Sequence, residues 1–177
     1  MKTVAILCGG VSPEHEVSVR SAKNILNAID KSKWQVEVIG IAQTGTWRHL
    51  SQSEFMSLDH IGGIEGQLLT LVPGTDQLIR YDAGGQAFPT IDVVFPIVHG
   101  PFGEDGTLQG LLQVLGLPFV GPDALGSAVG MDKDFTKRIL RDAGIPNAAW
   151  VTLWKHLDPD YATIVEDFGF LLLESPT

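Results

Sequence analysis

Apolar positions along this chain follow two periods in alternation. Thr3 to Cys8 is a short, nearly continuous apolar run that stops at Gly9-Gly10. Ala22, Ile25, Leu26 and Ile29 then recur at i, i+3, i+4 and i+7, one face of a helix. From Trp34 the spacing returns to two: Trp34, Val36 and Val38 alternate with polar residues before the run becomes wholly apolar to Ile41. This β-α-β opening predicts a parallel sheet covered by helices. Between Gly45 and Pro89 the pattern loosens into Trp47–Leu50, Leu68–Val72 and Leu78–Tyr81, short strands expected to form antiparallel hairpins. Ile91 to Val98 is continuously apolar, which predicts a strand buried on both faces.

Beyond a glycine-rich segment, Gly100 to Gly106, residues Leu108, Leu111, Leu112 and Leu115 mark another helix. Pro118–Val120 reads as a short strand and Asp123–Met131 as a short helix. Thr136, Ile139, Leu140 and Ala143 form an amphipathic helix stopped by Gly144, with Pro146 just after it. Trp150–Trp154 alternates like a strand. A helix with Asp158 as N-cap and Pro159 at its first position is expected to follow, closed by Gly169. Phe170–Leu173 reads as a strand begun just before the last residue, the expectation for a domain cut short.

Composition narrows the class. With 177 residues, 44% hydrophobic and 19% charged, the chain can bury a core without staples and is not expected to be disordered. No apolar run approaches the roughly 20 residues that span a bilayer, so no membrane association is expected. The run Val4–Cys8 is too short for a signal peptide, and the single cysteine, Cys8, fits a reducing cytoplasm. The net charge of −9 has the wrong sign for a nucleic-acid partner. No Lys or Arg lies between Arg80 and Lys133, while six acids do, so an anion bound there needs backbone amides or cations from elsewhere.

Three places could carry chemistry. The turn GGVSPEHEVS, Gly9 to Ser18, allows close backbone approach after a buried strand, but it lacks the glycines of a dinucleotide fingerprint. Its acids, Glu14 and Glu16, either complement the helix dipole or grip a cationic group such as an ammonium. His99 ends the second buried strand, where open α/β sheets place ligands. It is either a hydrogen-bonded loop histidine or a donor to a carboxylate. Glu104 and Asp105 read as first-turn residues of the next helix rather than as metal ligands. Lys133 opens a helix and is either a solvated cation or a phosphate contact. Cys8 reads as an inert buried thiol.

Four segments in order resemble the amino-terminal half of a D-alanine–D-alanine ligase, a bacterial ATP-grasp family of cell-wall (peptidoglycan) synthesis. They are GGVSPEHEVS, VVFPIVHGPFGEDGTLQG (Val93–Gly110), LPFVGPD (Leu117–Asp123) and MDKDFTKRILRDAG (Met131–Gly144). The resemblance runs from Val4 to about Gly169. It implies an activity in which Mg-ATP phosphorylates one D-alanine and the amine of a second attacks the acyl phosphate. It also implies that Glu16 binds or orients the first ammonium as the catalytic acid, that His99 lies beside that substrate, and that Lys133 contacts ATP phosphates. Ser12 and Ser18 are expected to cap the helix. Residues 1–123 are expected to form a doubly wound, mainly parallel, Rossmann-like sheet domain. Residues 124–177 are expected to begin an ATP-grasp small lobe that is truncated.

The resemblance has departures. Ser175 stands where the family's ATP-binding lysine is expected, and the large lobe, the magnesium carboxylates and the serine-rich loop have no counterpart here. This chain alone is therefore expected to be inactive, with no metal site of its own and with ATP and Mg2+ belonging to the full-length family. Apolar surface left uncovered favours a homodimer. The alternatives are a non-catalytic binding or dimerisation module, and an unrelated nucleotide-binding α/β domain.

Overall fold

The computed structural model describes residues 1–82, 84–153 and 161–168. Two compact units divide the chain, Met1–Ala128 and Val129–Thr177.

The first unit is built on a central strand, β1 (Lys2–Gly9), in which only Lys2 is exposed. It lies between β2 (Trp34–Ile41) and β7 (Val93–Ile97), parallel to both, with Val4 opposite Val36 on one side and Val93 on the other. The two-residue period of β1 sorts its side chains into two cores. Val4, Ile6 and Cys8 pack with Val19, Ala22 and Leu26 of α1 (His15–Ala28) and Phe55 of α2 (Gln52–Ser57). Ala5 and Leu7 face the opposite layer, with Leu108 and Leu112 of α3 (Thr107–Val114) and with Leu115 and Leu117. Helices on both faces of one sheet are the consequence.

The remaining strands are β3 (Trp47–Leu50), β4 (Gln67–Leu71), β5 (Leu78–Arg80) and β6 (Gln86–Ala87). The seven-stranded order is β6-β5-β4-β3-β2-β1-β7. The hairpins expected between Gly45 and Pro89 are present as antiparallel pairs. The expectation of a mainly parallel sheet is corrected: two pairs are parallel and four are antiparallel. Parallel neighbours need a crossover of a dozen or more residues. The links β2-β3, β4-β5 and β5-β6 are too short to supply one.

Three other expectations change. β7 is an edge strand in which Val94 alone is fully buried; beyond it, Phe119 makes a single parallel bridge to Val94 in place of a strand at Pro118–Val120. Trp150 to Leu153 is irregular rather than extended in a sheet. Helix α2 and strand β6 were not anticipated. α2 is short but has a complete capping box: the Ser51 hydroxyl accepts from the Glu54 amide while the Glu54 carboxylate accepts from the Ser51 amide. The expected helix α4 (Ala124–Met131) follows in the chain.

In the second unit, α5 (Lys133–Asp142) starts at Asp132, whose carboxylate accepts from the Phe135 amide at 2.9 Å, and it ends at Gly144 with φ +70°. The Asp134 carboxylate takes hydrogen bonds from Thr152 Oγ1 (2.5 Å) and Trp150 Nε1 (3.0 Å) and pairs with Arg138, which together hold it below the usual carboxylate range. α6 spans Tyr161–Phe168. The expected N-cap at Asp158, with Pro159, and the strand Phe170–Leu173 lie outside the described residues.

Candidate functional site

The carboxyl ends of β1 and β7 lie side by side, because Cys8 pairs with Ile97. Gly9-Gly10 and Val98-His99-Gly100 therefore leave the sheet as neighbours, at the edge where α/β sheets hold ligands. Gly9 has φ +89°, and a Cβ there would stand 2.2 Å from the Ile41 carbonyl oxygen, so only glycine fits. The Gly10 amide donates to that same carbonyl at 2.8 Å.

Two buried polar side chains of α1 fix this turn. The His15 ring is fully buried; Nδ1 lies 2.7 Å from the Gly10 carbonyl oxygen and Nε2 accepts from the Ile61 amide at 3.0 Å. A backbone amide can only donate, so Nε2 carries the lone pair and Nδ1 the proton. Ser18, also fully buried, accepts from the Gly9 amide at 2.7 Å and donates to the Ile97 carbonyl. Neither serine expected to cap the helix does so. Ser12 accepts from the amide of Glu14, itself the N-cap residue, at 3.1 Å, in the turn before α1. Ser18 sits inside α1 and its hydroxyl reaches the two strand ends instead.

Glu14 occupies the N-cap position of α1 without capping it. A Cβ on Gly100 would meet Glu14 Oε2 at 2.7 Å and Ser12 Oγ at 2.6 Å, so this carboxylate lies against the glycine that follows His99. His99 is partly exposed, and its Nδ1 is 3.5 Å from Glu104 Oε1. Its Nε2 is buried with no hydrogen-bond partner among the described residues. Glu104 also accepts from the Gly100 amide at 2.9 Å, so one carboxylate braces both the imidazole and the loop.

The rest of that loop is over-determined. Asp105 accepts from the Phe102 and Thr107 amides, each at 2.9 Å, and these bonds outweigh partial burial and hold its carboxyl below the usual range. They maintain Phe102, an exposed residue, at φ +68°. Gly103 has its Cα against the Val98 carbonyl, where a Cβ would be 2.3 Å away.

The sequence-derived residues are thus distributed unevenly. Glu16 lies on the outer side of α1 and lines a separate groove of ≈ 310 Å³ with Val19, Arg20, Lys23 and Asp59. Lys133 is exposed at the start of α5, in the second unit. Burial pushes the Cys8 thiol up to about 12. Among the described residues no three His, Cys, Asp or Glu side chains converge as a metal site requires. From the sequence Ser18 reads as a helix cap, and Glu14 stands behind Glu16. The helical phase held the signal: His15, Ser18, Val19, Ala22 and Leu26 are buried, whereas Glu16 shares the spacing of Arg20 and Lys23.

The chain is 51% identical over 181 aligned residues to D-alanine–D-alanine ligase A of Escherichia coli K12, and 45% identical to a D-alanine–D-alanine ligase of Sodalis glossinidius. Each match covers 98% of this chain and 50% of the relative, so the chain spans about half the length of the curated relatives it matches. The solved D-alanine–D-alanine ligase of Coxiella burnetii matches with a TM-score of 0.84 at 37% identity, covering 96% of this chain and 50% of that one. A Bacillus anthracis D-alanine–D-alanine ligase solved with ATP matches at 0.64 and 26%, covering 96% and 45%. The family model described as "D-ala D-ala ligase N-terminus" matches residues 3–122, and the chain belongs to that family.

Proposed function

We propose that this chain is the amino-terminal part of a cytoplasmic D-alanine–D-alanine ligase and that the strand ends carrying Gly10, His99 and Gly100 take the first D-alanine. The observation that carries this reading is the convergence at Gly100 of the Glu14 carboxylate and of His99, whose Nε2 is buried without a partner. A carboxylate suits a substrate ammonium, and an imidazole nitrogen braced from behind by Glu104 suits a substrate carboxylate or its developing oxyanion. Glu14 carries the ammonium role better than Glu16, because Glu16 faces the groove with Arg20 and Lys23. Residues 1–123 would form the substrate-side domain, and residues 124–177 would open an ATP-grasp small lobe.

In the reaction, a carboxylate oxygen of the first D-alanine forms a bond to the γ-phosphorus of ATP, and ADP leaves. The second amine then bonds to the acyl carbon, phosphate departs with the carbon–oxygen electron pair, and the amine loses a proton. The ATP bound by the Bacillus anthracis relative supports nucleotide as co-substrate. Lys133, a cation at a helix start, is proposed to meet its phosphates. Magnesium, when bound, would neutralise those phosphates; the described residues do not themselves converge on a metal site.

The test has two arms. Phosphate release from Mg-ATP is expected to be absent for the chain alone, with D-alanine, L-alanine or neither; D-alanine-dependent release would overturn the inactivity. D-Alanine is expected to shift the backbone amide signals of Gly10, Glu14, His99 and Gly100, and the absence of any shift would overturn the substrate-side assignment. A homodimer is the second reading, favoured by Val114 and Leu125, which are 74% and 73% exposed. A monomer in sedimentation would remove it.

A further inference from the structure

We propose that Ser18 is a positioning residue whose hydroxyl sets the geometry of the two strand ends. This rests on the reading of those strand ends as the D-alanine site. In the parallel pair β1-β7 the ladder runs from Val4–Val93 to Cys8–Ile97. At its last step the Ser18 hydroxyl stands between the strands, accepting from the Gly9 amide and donating to the Ile97 carbonyl. A hydroxyl interposed between an amide and a carbonyl holds two strand ends farther apart than a direct bond would. The strands part at this point, and the glycine turn and His99 follow immediately.

The same residue is tied to the acid. The Ser18 amide donates to the Glu14 carbonyl at 3.0 Å, so Ser18 is one helical turn from the carboxylate that lies against Gly100. One residue therefore references Glu14, the Gly9-Gly10 turn and the segment leading to His99 to one another. Packing alone does not require a hydroxyl here, since the neighbouring core residues of α1 are Val19 and Ala22. A serine within a helix commonly bonds a carbonyl of its own preceding turn. Ser18 instead spends both of its bonds on the sheet.

The test compares Ser18→Ala, Ser18→Thr and Leu26→Ala in this chain by NMR, first without ligand and then with D-alanine. Leu26 is buried on the same helix but is not among the residues that bond the strand ends, so it reports what destabilisation alone does. Ser18→Ala is expected to move the His99 ring-nitrogen signals and the Gly10 and Gly100 amide signals, and to weaken D-alanine at least tenfold. Ser18→Thr, which keeps the hydroxyl, is expected to restore them, and Leu26→Ala to leave them in place. Superimposable His99 signals in Ser18→Ala, or equal movement in Leu26→Ala, would overturn the proposal.

If Ser18→Ala does not fold, hydrogen exchange of the wild-type Gly9 amide decides. Protection comparable to that of Leu7 supports the bond to Ser18, and exchange as fast as in an exposed loop overturns it. If wild-type chain shows no response to D-alanine, the substrate assignment fails, while the ligand-free signals still judge Ser18.

Discussion

Replacing His15 by alanine tests whether the glycine turn is held by hydrogen bonds or only by packing. The imidazole is fully buried and joins the Gly10 carbonyl, at 2.7 Å, to the Ile61 amide, at 3.0 Å. Alanine leaves both backbone groups without partners, at about 1–3 kcal/mol each. The void adds to this, because interiors relax only partly around lost volume. A loss of about 4 kcal/mol is expected, a large share of the ~5–15 kcal/mol that stabilises a typical domain. His15→Phe fills the volume without the bonds and is expected to lose about 2–4 kcal/mol. His15→Gln, whose amide oxygen can accept from Ile61, is expected to recover part of it. Urea unfolding followed at the Gly10 and Ile61 amide signals confines the measurement to the first unit. A loss below about 1 kcal/mol for His15→Ala, or a neutral His15→Phe, would refute the hydrogen-bond account.

Gly103→Ala places a Cβ 2.3 Å from the Val98 carbonyl oxygen, a backbone atom that cannot rotate away; a loss of about 1–3 kcal/mol in urea unfolding is expected, with the His99 signals displaced. In Glu37, the hydrogen bond from His49 Nε2 at 2.8 Å is the largest influence; opposed by partial burial and aided by Gln35, it holds the carboxyl below its ordinary 4.5. A carboxyl lowered on folding contributes stability above its unfolded value and loses it as pH falls through the folded one. Wild-type stability should therefore fall as pH drops below about 4.5, and Glu37→Gln should be less stable at pH 7 and flatter on the acid side in urea melts at stepped pH. Parallel acid limbs for the two proteins would contradict this.

Much of the first unit was legible from residue spacing because its elements bury continuous faces. β1 has seven buried residues in a row, and α1 buries a clean helical stripe. The hairpins from Trp47 to Tyr81 were legible for the same reason, in shorter runs. Their effect on the sheet was not, since pair direction depends on link length and on which strand ends meet. β7 misled because a continuous apolar run looks the same whether its second side meets a strand or a single bridge from Phe119. α2 escaped notice because its six residues hold one buried side chain, Phe55, and its stability lies in the Ser51–Glu54 capping box.

The site was legible only at its backbone. Glycines at strand ends announce close approach, and Gly9, Gly10 and Gly100 all sit at positive φ where the two strands emerge. The side chains that use this space depend on contacts between distant segments: Ser18 with Ile97, 79 residues away, and His15 with Ile61, 46 residues away. Composition carries no trace of such pairings. Glu14 and Glu16 show where the limit falls. Both are exposed acids two residues apart, Glu14 at the N-cap and Glu16 in the first turn of α1, and they face different sides of it. Once His15 and Ser18 fix which side of α1 meets the sheet, Glu14 lies against Gly100 and Glu16 joins Arg20 and Lys23 in the outer groove. Two buried polar residues that never touch solvent thus fix which acid lies against Gly100, and substituting either should disturb Glu14 and His99 together while leaving the Glu16 groove unchanged.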